Sequence, residues 1–387
     1  MKINQVYSLL NDINHQMYGD DALAVNDLSG IVAMGNSVMS GSVDAFYKLL
    51  IDRIGKVIIR RLDLELEFPN LMMNDFEFGA AIQKITIDPF DSVENSTYNV
   101  TDQGFTPTLL DAPIATVYQT FFTGADTFAF KRKNPGSQLF TAFTSAEAMG
   151  AFIDAVAMAM IDSMTISINN MSRTAINNFI AEKIKAANGI INIADLYNTN
   201  ATTPVTHFSD AMLNKDFLRF STNIIRKYLK YITMPNVGYN VAGRVRATAR
   251  DNMHFFALTE YVGALESFLD SDTWHTEFTS IGGYQEVGYW QGNYNGTNFN
   301  DPDAVSSIKV TPSSEEGQTT PTDVEQSGII AVMADRQAIF TGINKRRSSA
   351  FYNPIDDYTI IKAEATVQYC NDTSENGLIF IAEPTTP

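Results

Sequence analysis

Thr144–Gly189 reads TSAEAMGAFIDAVAMAMIDSMTISINNMSRTAINNFIAEKIKAANG. Thr144 and Glu147 have the spacing of a capping box, in which the hydroxyl accepts from the backbone three positions on and the carboxylate reaches back. Apolar residues follow at 149, 152, 153, 156, 160, 164, 168, 171, 175, 179, 180 and 184, and Asn188-Gly189 is a C-terminal stop. The spacing predicts one helix of about 43 residues, roughly 65 Å long. Mean helices run to about 11–12 residues. The stripe drifts, is rich in Met and Ala, and lacks the a/d heptads with charged flanks of a coiled coil. A helix of this kind must pack on a sheet or another broad surface. A break near 167–172 stays open.

Upstream, FYKLLIDRIGKVIIRRLDLELEF (Phe46–Phe68) follows two rules. Phe46, Leu49, Leu50 and Ile54 have helical spacing, whereas Leu62, Leu64, Leu66 and Phe68 alternate with acidic residues, as in a strand. Pro69-Asn70 is a turn signal. A second alternating run holds Phe76, Phe78, Ile82, Ile85 and Ile87, with Gly79-Ala80-Ala81 as a bulge. Residues 57–88 are therefore expected to form a long two-stranded hairpin. Its apolar face either folds onto its own domain or is covered by another chain, and patterning does not decide between them. Residues 1–42 read as an arm with one short helix around 22–38, and 34–42 as flexible.

Downstream of the hairpin, 114–133 reads as two strands, or one bent strand, with Gly124 as the break. After the long helix, 190–340 mixes short helices (215–231 and 251–269) with strands. Gly282–Phe299 is dense in Gly, Tyr and Asn, and 311–327 is an acidic, Ser/Thr-rich exposed loop. Strands return at 328–340 and 358–369, and GLIFIA (377–382) is the last.

The chain has 387 residues and a formal net charge of −17. Such an acidic surface repels nucleic acid and anionic membranes. No continuous apolar stretch reaches about 18 residues, so no membrane span is expected. The single cysteine, Cys370, allows no internal disulfide and reads as a packed side chain. No phosphate-binding loop, dinucleotide fingerprint or CxxC occurs, and the histidines at 15, 207, 254 and 275 lack metal-ligand spacing. No cofactor, metal or catalytic residue is expected, which favours a structural role over an enzyme. The alternative is a carbohydrate-binding or glycan-acting protein that stacks sugars on the run 282–299, through Tyr284, Tyr289, Trp290 or Tyr294.

The order of parts resembles the major capsid protein of tailed bacteriophages, the Hong Kong 97-type fold, and most of all the small podoviruses related to phi-29. Asp52-Arg53-Ile54-Gly55 within FYKLLIDRIGKVIIR (46–60) carries the resemblance. So do AFTSAEAMGAFIDAVAMAMIDS (142–163), RDNMHFFALTEYVGALE (250–266) and RRSSAFYNPIDDYTIIKAEATVQYC (346–370). It implies an α+β subunit with an N-terminal arm (1–45), an extended-loop hairpin (46–95) and a peripheral domain with the spine helix (96–200). An axial domain (201–342) and closing peripheral strands (343–387) would follow. The C-terminal immunoglobulin-like domain of the family's namesake is not expected.

By the same resemblance the hairpin lies across a neighbouring subunit, with Leu62, Leu64, Leu66, Phe68, Phe76 and Phe78 as contacts. The chain would assemble as hexamers and pentamers into an icosahedral shell. That shell would enclose DNA without reading its sequence, join a portal protein, and use a separate scaffolding protein. Lys131, Arg132, Lys133, Lys345, Arg346 and Arg347 are candidate contacts to scaffold or neighbour. The subunit would be made in the host cytoplasm and end in the virion, without membrane contact.

Overall fold

In the computed structural model, Ala146–Lys185 is one uninterrupted α-helix of 40 residues. The structure describes residues 3–19, 24–50, 66–73, 82–89, 116–122, 125–271, 283–291, 302–311 and 323–385. The N-cap is Ser145, one residue later than the capping-box reading. The Ala148 amide donates to the Ser145 hydroxyl at 3.0 Å, while the Thr144 hydroxyl donates to the Thr141 carbonyl. Thr144 is thus taken up by the end of a preceding short helix, Gly136–Ala142. At the other end the Asn188 amide reaches the Lys183 carbonyl, and Ala187 takes the left-handed conformation at φ 48. Gly189, at φ 72, lies so close to the Gly377 carbonyl that a β-carbon would collide with it. There is no break at 167–172. By length and composition this helix is apolar enough to cross a bilayer. Its buried stripe instead serves two cores.

The chain divides into two compact units. The first comprises 1–79, 125–173 and 341–369. Its sheet runs in the order Met72–Met73, Ile339–Asn353, Tyr358–Asn371, Ala125–Pro135. The last two strands pair antiparallel from Tyr358↔Pro135 to Gln368↔Ala125. Alternation puts Ile361, Ala363, Ala365 and Val367 into the core, against Met149, Ile153, Val156, Met160, Met164 and Ile168 of the long helix. Phe152 is only partly buried at the edge of this core.

Residues 1–42 contribute more than an arm with one helix. Ile3–Tyr18 and Leu28–Ser37 are both helical, and a π-turn at Val38–Ser42 leads into a helix at 43–50. Asp27 caps the second helix through the Gly30 amide at 2.8 Å. Val6, Leu10, Ile13, Ile31, Met34 and Val38 are buried in the core of this unit. The stretch expected to be flexible is therefore helical, because its widely spaced apolar residues find a partner surface. At Gly35 the helix backbone lies against a side chain: a β-carbon there would lie 2.8 Å from Cβ and Cγ of Phe143.

The second unit comprises 80–124, 174–340 and 370–387. Its five-stranded sheet runs Ile190–Asn192, Gly377–Ile381, Ile329–Asp335, Met253–Leu258, Gln285–Val287. The strand Gly377–Ile381 thus closes this sheet and not that of the first unit. Lys215–Tyr231 is a helix with the expected bounds, capped by Asn214. The helix expected at 251–269 begins only at Thr259. Met253–Leu258 is a strand, with His254 to Leu258 all buried between two neighbours. A short apolar run of this kind fits a buried strand as well as a helix, and here tertiary pairing chose. Val117–Phe122 and Ala125–Pro135 are the two strands expected around Gly124, but they belong to different sheets.

Candidate assembly surfaces

Of the expected 57–88 hairpin, 57–65 and 74–81 lie outside the described residues, and its last stretch has a partner further along the chain. Ile82–Ile87 pairs antiparallel with Val117–Phe122, from Ile82↔Phe122 to Ile87↔Val117, forming a two-stranded ribbon of the second unit. Leu62, Leu64, Phe76 and Phe78 lie outside the described residues. Leu66 and Phe68 are placed within the subunit's own first unit. Phe68 is 1% exposed, and Leu66 packs partly buried on the core. Glu67 between them is pinned to the long helix. Its carboxylate accepts from Arg173 at 2.7 Å, and its amide donates to the Asn169 side chain at 3.0 Å.

The ribbon's inner face is mixed, with Lys84, Thr86 and Thr120 beside Ile82, Tyr118 and Phe122, and Phe122 meets the Phe340 ring at 5.7 Å. Lys84, on the inner face, donates to Asp372 at 2.7 Å and pairs with Glu375 at 2.9 Å. Arg246 reaches Asp88 and Glu375, both at 3.4 Å. The Arg244 guanidinium lies 3.5 Å from the Tyr118 ring centroid. Burial raises the Asp372 carboxyl, but donors from Lys84 and Ser374 outweigh it and hold the group below the usual carboxylate range. The outer face carries Ile85, Ile87, Val117 and Phe121, exposed by 59, 56, 57 and 58%.

Both basic clusters sit on strands of the first unit's sheet. Lys131, Arg132 and Lys133 are exposed on Ala125–Pro135, with Lys133 stacked 4.6 Å from the Tyr358 ring. Lys345, Arg346 and Arg347 lie on Ile339–Asn353, where Arg347 is exposed. Strand Tyr358–Asn371 separates the two clusters. The three cationic side chains of the first cluster reach solvent because their strand is at the edge of the sheet.

Chemistry is sparse. Among the described residues no group of three or more His, Cys, Asp or Glu could hold a metal. Cys370 is buried, and burial followed by Asp372 pushes its thiol up to about 12, so it is no nucleophile at neutral pH. Lys183 is fully buried. Its ammonium donates to the Tyr239 carbonyl at 2.6 Å, and burial pulls it down to about 7. That contact ties the 236–246 loop to the long helix, a structural task that the sequence did not signal. Of the rings named for the glycan alternative, Tyr284 and Tyr289 are half-buried and Trp290 is enclosed. Trp290 is 1% exposed, and its indole donates to the Ile329 carbonyl at 2.8 Å. A sugar cannot stack on a ring enclosed in this way. Tyr294 lies outside the described residues.

Several solved structures are similar to the chain at low identity. The capsid structure of Staphylococcus phage Andhra is 11% identical with a TM-score of 0.49, covering 81% of this chain and 83% of that one. The mature capsid of bacteriophage PhiM1 is 11% identical at TM-score 0.43, covering 82% and 86%. The capsid of cyanophage P-SCSP1u is 10% identical at TM-score 0.43, covering 82% and 88%. No curated relative matches the chain in sequence. A sequence model of the Phi29-like phage major capsid proteins matches residues 9–381, nearly the whole chain. The chain therefore belongs to the Phi29-like phage major capsid protein family, whose members form the wall of the phage head.

Proposed function

We propose that the chain builds an icosahedral head from hexamers and pentamers of itself, which encloses double-stranded DNA without reading its sequence. The match to a phage major capsid family over residues 9–381 carries this reading. The net charge of −17 supports it, since an acidic wall repels DNA and leaves the packaged genome free to move. In this reading the first unit is peripheral and the second axial, in a Hong Kong 97-type arrangement. Leu62, Leu64, Phe76 and Phe78 of the 46–95 segment are the extended-loop contacts to a neighbour. A portal protein completes the shell, and a separate scaffolding protein directs closure. Lys131, Arg132, Lys133, Lys345, Arg346 and Arg347 are contacts for that scaffold or for a neighbour. The subunit is made in the host bacterial cytoplasm and performs no catalytic step.

Expression with and without a scaffold gene, followed by sedimentation and negative-stain microscopy, tests the reading. Uniform closed shells are expected with the scaffold, and few or aberrant particles without it. Soluble monomers under every condition would overturn the assembly role. Uniform heads from the chain alone would overturn only the scaffold part.

A further inference from the structure

A two-stranded ribbon normally turns its apolar face to its own core and its polar face to water. The ribbon of Ile82–Ile87 and Val117–Phe122 keeps an apolar face turned to water as well. Ile82, Lys84, Thr86, Tyr118, Thr120 and Phe122 face inward, while Ile85, Ile87, Val117 and Phe121 face out, each more than half exposed. The inner face is bolted down through Lys84 to Asp372 and Glu375, and through Asp88 to Arg246. The outward orientation is therefore built in.

We propose that the outer face of this ribbon is an interface between copies of this chain, covered by a second copy in the assembled shell. The inference rests on the shell-forming reading above. The register places Gln83, Ile85 and Ile87 with Val117, Gln119 and Phe121 on that face, and none of these carries a charge. Copies with a net charge of −17 repel one another over most of their surface, so they approach best through a neutral patch. The face offers no cation to a nucleic-acid phosphate, which excludes packaged DNA as its occupant. Soluble proteins rarely leave contiguous apolar patches open, and an apolar ribbon with free edges invites adhesion. A shell brings a second copy to it at every lattice position.

Cysteine accessibility tests this without requiring a charged variant to fold. Ile85→Cys places a thiol on the outer face, and buried Cys370 serves as the unreactive internal control. A maleimide should label residue 85 quickly in dispersed subunits and at least tenfold more slowly in closed shells. In parallel, Phe121→Glu should keep the subunit's melting temperature and cut shell yield at least tenfold. Equal labelling in subunits and shells overturns the proposal, whatever Phe121→Glu does. So does protection that disappears once scaffold leaves the particle, since the occupant would then be the scaffold. Shells of wild-type yield from Phe121→Glu also overturn it. A wild-type chain that never forms shells removes the reading beneath, and this inference with it.

Discussion

The Lys84 ammonium donates to the Asp372 carboxylate across 2.7 Å, joining positions 288 residues apart. Both side chains are almost enclosed, 13% and 6% exposed, and Glu375 shares the same ammonium. Removing the cation leaves two carboxylates in a site with little water. Lys84→Met should therefore cost about 3 kcal/mol of subunit stability, the usual penalty for breaking a buried pair. Urea melts of the dispersed subunit measure it. A loss below about 0.5 kcal/mol would mean that the ribbon is held by something else.

His254 sets an acid limit. Burial, and then the neighbouring charge of Arg336, lower its imidazole to about 4, and its Nε2 has no hydrogen-bond partner among the described residues. The folded value lies below the unfolded one near 6.5, so the unfolded chain takes up the proton first. Stability should be complete above pH 6.5 and should fall as pH drops from there towards 4, by about 1.4 kcal/mol per unit. His254→Phe, stacked on Phe256 in place of the imidazole, should flatten that slope. Melts at pH 7.5, 6 and 5 compare the two. The Asp372 contribution is separable, because a lowered carboxylate loses its stabilisation only below its unfolded value near 3.8.

The long helix has a sharp inside and outside. Ile153 is 3% exposed and Met158 is 50% exposed, one turn and a third apart. Ile153→Ala should cost about 2–4 kcal/mol through lost burial and the remaining cavity. Met158→Ala should stay within about 0.5 kcal/mol. Equal costs in thermal melts would show the stripe to be misplaced.

Trp290 should behave as a core residue. Its backbone carbonyl accepts from Asn177 at 2.9 Å, and its ring is enclosed. Trp290→Ala should cost about 3–5 kcal/mol and leave glycan-array signals unchanged from wild type. A stable variant that lost a glycan signal would revive the sugar-binding alternative.

Phe68 separates contacts within the subunit from contacts between subunits. Enclosed in the first unit, it should cost about 3–5 kcal/mol as Phe68→Ala in the dispersed subunit. A variant that melts like wild type but fails to assemble would assign Phe68 to the interface instead.

Elements governed by local signals were legible in the sequence. The long helix begins and ends within a few residues of its cap and stop signals, and 215–231 has the bounds its periodicity predicted, because capping and 3.6-residue spacing act within one turn. The wall-forming role was legible through resemblance, in the order of those elements. Candidate contacts were less so: of the six apolar residues assigned to the loop, Leu66 and Phe68 pack in their own subunit.

Tertiary structure alone decided the partners. Alternation marked 82–87 as a strand, but pairing with 117–122 spans 29 intervening positions and leaves no local trace. HFFAL suited a helix or a strand until neighbours on both sides claimed it. Alternation also divides the ribbon into two faces without saying which one turns inward. Partners far along the chain hold the inward face, Asp372 and Glu375 through Lys84 and Phe340 through Phe122, and leave Ile85, Ile87, Val117 and Phe121 facing out.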